Sequence, residues 1–393
     1  MYIYQNMNRE FDAIVIGAGP AGLNAALHLL KSEKKPSVLL LDKIPPWESQ
    51  IACAEGVWYE PFKSAVDVRP EWIRNFISNA VLHSPDGITI TYSEKDKGCI
   101  INRARMQQDL AADCSGMGAS VRLNCRVTGI GEEDDASREV QLSDGSAIRG
   151  RVIIDASGPF SGFGRNEKIS WKPQDLEPAY FAVAENTGIE TESIHVYLGK
   201  KIAPGGYAWV FPRGNGAANI GIVVGKPFIG KVNIRTLLHD FLSRDFPHAT
   251  IIRYFAGSIP CEASKTTMAS SRFFKAGDAA SSINPISRAG IVEALVSGGL
   301  AGDYAVKMLL VKSRKQTVAV CKGYHEAWSR KMGKAHCKLA RVKGSLLEIP
   351  DSDYNGAFKV LKDIPRGNLL MSKILSLSLG RFPRLVWSIR HLL

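Results

Sequence analysis

Three observations predict an α/β fold: a Rossmann-like dinucleotide-binding domain with an inserted antiparallel-sheet substrate domain and a helical C-terminal region. The first is Phe11-Asp-Ala-Ile-Val-Ile-Gly17-Ala-Gly19-Pro-Ala-Gly22, an apolar strand running into G-x-G-x-x-G. The second is a change of hydrophobic period to two between residues 179 and 224. The third is the return of strand, turn and helix patterning at 151–158 and again at 272–309.

Ala13 to Ile16 form the short apolar run expected of a parallel strand buried on both faces. Gly17 permits the tight turn, Gly19 lets the backbone approach a pyrophosphate, and Gly22 lets helix and strand pack closely. Residues 23–30 read as a helix whose amino terminus, with free N–H groups and a positive dipole end, faces the phosphates. A glycine-rich surface turn would carry the same letters, so the next strand decides. Ser37-Val-Leu-Leu-Leu-Asp42 ends in an acid twenty residues after Gly22, where a carboxylate accepts hydrogen bonds from a ribose diol. A dinucleotide is therefore expected here.

Cys53-Ala-Glu55-Gly56 follows the second strand and should pass near the cofactor, although Cys53 alone reads as an ordinary buried cysteine. Residues 88–92 alternate as a strand after a turn at Asp86-Gly87, and Arg103 opens a helix running to about Ser115. Strands are expected at 121–127 and 138–142, with a hairpin turn at Asp144-Gly145. Arg151-Val-Ile-Ile-Asp155-Ala-Ser-Gly158 looks like a strand returning to the nucleotide sheet. Short strands at 179–186, 193–198, 207–212 and 217–224 make the antiparallel sheet, with one face covering a ligand. An amphipathic helix follows at 232–246, and Ala276-Gly277-Asp278 leads through Pro285 and Gly290 into a helix at 291–309. The expected nucleotide domain is thus discontinuous, at 10–60, 98–165 and 270–305. The substrate domain takes 61–97 and 166–269, and a helical basic region takes 306–393.

At 393 residues the chain can hold two or three domains with sizeable cores. It has no apolar run of the roughly eighteen residues needed to span a bilayer, and residues 1–10 lack a signal core. A cytoplasmic protein is expected. Seven cysteines without any C-x-x-C fit a reducing compartment and argue against disulfides or a metal cluster. The net charge of +12 is uneven: residues 301–393 hold 18 Lys+Arg against 6 Asp+Glu, while the first 300 are neutral. A basic tail on a neutral body points to an anionic partner. Since no nucleic-acid-binding motif is present, a peripheral membrane surface is the expected one. An apolar stretch at 369–379 and a last helix with Phe382, Leu385, Val386, Ile389, Leu392 and Leu393 on one face suit that role.

The ordered fingerprint, Asp155-x-x-Gly158 and Ala276-Gly277-Asp278 resemble the flavoprotein group that includes aromatic hydroxylases and geranylgeranyl reductases. Tyr207-Ala-Trp209-Val-Phe211-Pro212 resembles the Y-x-W-x-F-P motif of the geranylgeranyl reductase family, and Cys53-Ala-Glu55-Gly56 resembles its C-x-x-G segment. Without that resemblance the aromatic stripe would read as core. The resemblance implies FAD, held by Gly17, Gly19, Pro20, Ala21, Gly22, Asp42, Lys43, Arg103, Val127, Asp155, Gly277, Asp278, Gly290 and Ile291. It implies a prenyl lipid or quinone side chain as substrate, with Cys53, Glu55, Tyr207, Trp209 and Phe211 facing the flavin. NAD(P)H or a protein such as ferredoxin would supply electrons. Glu55 and Tyr207 are alternative proton relays. A flavin monooxygenase or halogenase, and a non-catalytic prenyl-binding module, are the competing readings. Two departures stand out. The hydroxylase-like G-x-x-S-x-x-R pattern is off by one, at Gly158, Ser161 and Arg165. Arg288 replaces the first glycine of P-x-x-G-x-G, where a guanidinium is expected to reach the flavin or an anionic substrate.

Overall fold

The computed structural model describes residues 10–362 apart from 46–50, 135–136, 166–167, 170–172, 264, 266 and 348. Two eight-stranded sheets organise them. In the first, five parallel strands lie in the order Phe273–Lys275, Ala147–Asp155, Glu10–Ile16, Val38–Leu41 and Ser120–Arg122. Glu10–Ile16 is central, and its residues from Ala13 onward are buried, as its unbroken apolar run requires. Val127–Asp134 and Ser137–Leu142 extend this sheet as an antiparallel flap. The turn at Gly145, with φ +85°, closes the hairpin that the Asp-Gly pair announces.

Helix Pro20–Lys31 follows the central strand and packs along helix Ile291–Leu309. Glycines set how close they come. A Cβ on Gly298 would lie 2.0 Å from the Ala21 carbonyl oxygen, and one on Gly302 would lie 2.5 Å from that of Ala25. Asn24 ties the pair by donating from Nδ2 to the Leu295 carbonyl at 2.7 Å.

The second sheet runs Thr250–Pro260, Leu176–Glu185, Ala217–Val223, Tyr207–Gly214, Ser193–Tyr197, Ile73–His83, Thr89–Ile101 and Gly56–Trp58. It differs from the expected antiparallel sheet in one join, since Ser193–Tyr197 pairs in parallel with Ile73–His83. The two insertions are far apart in sequence, so no short turn forces their edges to run opposite ways. Gly56–Trp58 and the end of Thr89–Ile101 also pair within this sheet, inside segments expected to belong to the nucleotide domain. Its outer face is covered by helix Ile234–Asp245, which packs Leu238, Phe241 and Leu242 on Ala208, Val210, Ile220 and Ile222. Its inner face turns toward the carboxyl edge of the parallel sheet.

Helices Arg314–Trp328, Lys334–Leu346 and Asp351–Leu361 complete the described chain. No described helix is long and apolar enough to cross a membrane. The apolar stretch at 369–379 and the final amphipathic face lie outside the described residues.

The glycine contact yields a test. Gly298→Ala puts a methyl group into the Ala21 carbonyl and should cost about 1–3 kcal/mol, as overpacking does. A thermal melt should show the drop, whereas Gly344→Ala, with nothing within 4 Å of its Cβ, should not destabilise the protein.

Candidate active site

Both sheets wall a continuous cavity of about 1570 Å³. One end is polar and belongs to the parallel sheet. Gly17, Gly19, Pro20, Ala21, Asp42, Lys43, Arg103, Val127, Gly277, Asp278, Gly290 and Ile291 line it. Two expected residues do not. Gly22 packs instead: its Cβ would fall 1.8 Å from the Gly17 carbonyl oxygen. Asp155 is fully buried beneath the 156–163 loop. Its Oδ1 accepts from Ser157 Oγ at 2.6 Å, and its Oδ2 pairs with buried Lys275 at 3.1 Å and accepts from Ser161 Oγ. Its role is to shape a loop that lines the cavity.

The polar end suits a phosphate-bearing dinucleotide. Gly19 is the N-cap of helix Pro20–Lys31, makes no side-chain cap, and has no described atom within 4 Å of its Cβ position. The helix start therefore presents uncapped backbone to open space, as an anion site does. Gly290, the N-cap of Ile291–Leu309, is likewise uncapped and lines the same cavity. Asp42 accepts from the Ala18 N–H at 2.6 Å and from the Ile44 N–H at 3.2 Å. Each oxygen keeps acceptor capacity for a diol. Arg103 is oriented by donating from Nε to Gln107 Oε1 at 2.7 Å.

Two carboxyls share this wall away from bulk water. Burial pushes Asp278 up to about 6, with Arg103 opposing the shift. Burial pushes Glu293 up to about 7, its own backbone N–H opposing and the charge of Asp278 adding to the rise. Glu293 stands in the first turn of its helix, is 7% exposed, and its Oε2 has no hydrogen-bond partner among the described residues. Sequence reading missed it, though an acid in an otherwise apolar and glycine-rich helix is itself a signal.

The other end of the cavity is apolar and aromatic. Alternation along Tyr207–Gly214 puts Tyr207, Trp209 and Phe211 on the cavity face, with Ala208 and Val210 in the core behind. The two family-like motifs meet here. Phe211 packs on Gly56, whose Cβ would lie 2.9 Å from its ring. Trp209 Nε1 donates to Asn219 Oδ1 at 2.9 Å, and Asn219 Nδ2 donates to the Cys53 carbonyl at 2.9 Å. Trp209 lies across Gly221 on the next strand, a position no side chain could share. Asn219 was overlooked in the sequence, although a polar residue inside Ala217–Val223 marks it. Past the aromatic strand, Ile77, Ala80, Leu82, Ile194 and Val196 continue the apolar wall toward Trp58 and Tyr92, which are 51% and 44% exposed.

Three expectations change. Glu55, at φ +66°, is not a free acid: its Oε2 faces Arg213 at 3.1 Å and Arg74 at 3.6 Å, and its Oε1 accepts from the Arg103 N–H at 3.3 Å. The Tyr207 hydroxyl donates to the Ser287 carbonyl at 2.5 Å, and burial pushes it up to about 12. Arg288 lines the cavity, but its guanidinium is engaged by a carboxylate. It turns to Glu177, with Nε to Oε2 at 2.7 Å, because a guanidinium cannot be left unpaired in so apolar a wall.

A parallel nucleotide sheet opening onto an aromatic cavity under a second sheet defines a flavin-dependent oxidoreductase with a hydrophobic substrate. Comparison with known proteins agrees. A family model described as geranylgeranyl reductase catalytic domain matches residues 175–259, and one described as lycopene cyclase protein matches 12–176. Digeranylgeranylglycerophospholipid reductase of Methanosarcina mazei is 31% identical over 397 residues, covering 98% of this chain and 97% of the relative. Digeranylgeranylglycerophospholipid reductase 2 of Methanococcoides burtonii is 31% identical, covering 98% and 96%. In structure, a geranylgeranyl bacteriochlorophyll reductase-like protein of Thermoplasma acidophilum superposes with a TM-score of 0.86 at 23% identity, covering 98% of this chain and 100% of that one. A flavin-dependent halogenase shares the fold more distantly, with a TM-score of 0.68 at 15% identity over 96% of this chain and 71% of that one. The chain belongs to the geranylgeranyl reductase family of FAD-dependent oxidoreductases, which reduce carbon–carbon double bonds of geranylgeranyl groups.

Two outcomes test the site. Gly19→Val should fold normally yet retain little flavin, because the new side chain fills the open phosphate position. Gly22→Val should instead lose stability, since its clash is with backbone. Glu293 and Asp278 bind protons more tightly folded than unfolded, so they favour folding at low pH and cost stability as pH rises toward about 7. Glu293→Gln should therefore raise the apoprotein melting temperature at pH 8 and change it little at pH 4.

Proposed function

We propose that this protein saturates double bonds of geranylgeranyl chains carried on a glycerophospholipid. The observation that carries the reading is the aromatic face of Tyr207, Trp209 and Phe211, which lines one cavity with the phosphate cradle of Gly19 and Gly290. The printed names of the relatives support the lipid class, and the apolar run from Ile77 to Val196 suits a prenyl chain.

FAD would be held by the Gly17–Gly19 turn, Asp42, Arg103 and Asp278. Bound there, it supplies hydride. The remaining work falls to the chain. An isolated alkene has no carbonyl to accept charge, so its reduction needs a proton at one carbon and hydride at the other, with positive charge developing between. Ring faces stabilise such charge by about 2 kcal/mol when desolvated. Trp209 is fixed for that task by Asn219, and Phe211 by its packing on Gly56. Glu55 is occupied by guanidinium groups and the Tyr207 hydroxyl is a weak acid. Glu293, an unpaired carboxyl on the same cavity wall that burial holds toward its neutral form, is the remaining candidate proton source. Cys53 stands beside this face, with its Sγ accepting from the Glu55 N–H at 3.3 Å. A small-molecule or protein electron donor would reduce the flavin, and an anionic membrane surface would deliver the lipid.

The test is anaerobic reduction of the purified yellow protein, addition of digeranylgeranylglycerophospholipid, and mass spectrometry. Each bond reduced adds two hydrogens. Oxygen uptake with NAD(P)H and an unchanged lipid mass would favour a monooxygenase or halogenase instead. Trp209→Ala should slow prenyl reduction about 30-fold, the kinetic equivalent of ~2 kcal/mol, while flavin content stays within twofold. If rate and flavin content fall together, Trp209 is structural.

A further inference from the structure

Arg288 holds a backbone conformation that side-chain-bearing residues seldom take, at φ +59°. Its contacts over-determine it. Nε donates to Glu177 Oε2 at 2.7 Å, Nη1 to the Ile286 carbonyl at 2.7 Å, and Nη2 to the Gly205 carbonyl at 3.2 Å. Glu177 is fully buried, and its other oxygen meets Lys343 Nζ at 2.7 Å. Lys343 also pairs with Asp175 at 2.6 Å. Two cations and two anions thus form one enclosed, neutral cluster.

The turn that carries Arg288 grips Tyr207 twice. The Ser287 carbonyl receives the Tyr207 hydroxyl at 2.5 Å, and the Arg288 guanidinium lies 5.0 Å from the ring centre. Tyr207 in turn meets Trp209 edge-on, with ring centres 6.2 Å apart and planes at 68°. The position of the first aromatic ring is therefore set from a turn outside its own strand.

We propose that Arg288 is a positioning residue for prenyl reduction: it clamps Tyr207 as the fixed end of the aromatic wall and leaves the developing positive charge to Trp209 and Phe211. This rests on the prenyl-reductase reading above. A ring that already holds a guanidinium offers little to a second cation, so Tyr207 orients while its two neighbours stabilise. Neutralisation by Glu177 keeps the clamp from repelling that charge. Three directed donors require a planar fork, which lysine does not provide.

Arg288→Gly is the informative variant, because glycine accepts φ +59° without strain, and it is read against Arg288→Gly/Glu177→Gln, in which Lys343 and Asp175 remain as a neutral pair. Thermal melting and flavin absorbance check that it folds and loads. Its kcat for the prenyl lipid should fall tenfold or more with KM changed less than threefold, and Arg288→Lys should not restore it. In a Tyr207→Leu background the same substitution should cost less than twofold, since the clamp acts through that ring. An equal loss in both backgrounds, or turnover of Arg288→Gly within twofold of wild type, overturns the proposal. A second readout needs no turnover. With 3-fluorotyrosine incorporated and residue 207 assigned by Tyr207→Phe, the ¹⁹F line should be narrow in the wild type and shifted and exchange-broadened in Arg288→Gly. If the wild type leaves prenyl chains untouched, the substrate reading fails, and an unchanged ¹⁹F line would separately remove the clamp.

Discussion

The close approach of helices Pro20–Lys31 and Ile291–Leu309 is the constraint on which the site depends. Gly298 and Gly302 bring one helix onto the backbone of the other, and a Cβ on Gly277, whose φ is +61°, would lie 2.8 Å from the Ala21 methyl. Any side chain at these positions would push the helices apart. Together they bring two uncapped amino termini to one crevice, at the carboxyl edge of the parallel sheet. In open α/β sheets that edge is where ligands bind. The phosphate end of the cavity is thus a consequence of helix packing, with few side chains dedicated to it.

The aromatic end is built differently, by linking pieces that are distant in sequence. Asn219 joins the aromatic strand to the Cys53 loop, and Phe211 covers Gly56 of the same loop. The parallel pairing of Ser193–Tyr197 with Ile73–His83 closes the second sheet between its two insertions. That pairing places Ile194 beside Ala80 and Val196 beside Leu82 on the cavity side, giving an apolar wall that neither insertion supplies alone. A long hydrocarbon chain needs such a wall, and the flavin-binding half of the molecule does not contain one.

Local features were the legible ones. The fingerprint, Asp42, the hairpin at Gly145 and the aromatic alternation are all written within a few residues, so period and turn chemistry reveal them. The parallel join and the strand Thr250–Pro260 were not read because their partners lie far along the chain, and Ile73–His83, although it pairs with the neighbouring Thr89–Ile101, does not alternate cleanly in burial. Gly22 and Asp155 show a related limit. A motif marks a residue as necessary without saying whether it touches the ligand or supports the loop that does. Arg288 shows it most plainly: the sequence marks a departure from the glycine pattern, but its partner Glu177 lies 111 positions away.

Charge management links the two ends. Burying an ion without a partner costs several kcal/mol, and around this cavity the enclosed charges fall into two groups. Asp155 with Lys275, Glu177 with Arg288 and Lys343, and Glu55 with Arg213 and Arg74 are paired. Asp278 and Glu293 are instead pushed by burial toward their neutral forms. Pairing and burial thus offset much of the enclosed charge beside the apolar end. In a strong negative field, a developing cation would be held by charge at whatever carbon lay nearest, and ring placement would matter little. With charges paired or neutralised, the quadrupoles of Trp209 and Phe211 become the leading electrostatic feature there. In the proposed reaction, substitution of the alkene would place the positive charge on the tertiary carbon of a prenyl unit, and ring placement would select which unit is stabilised.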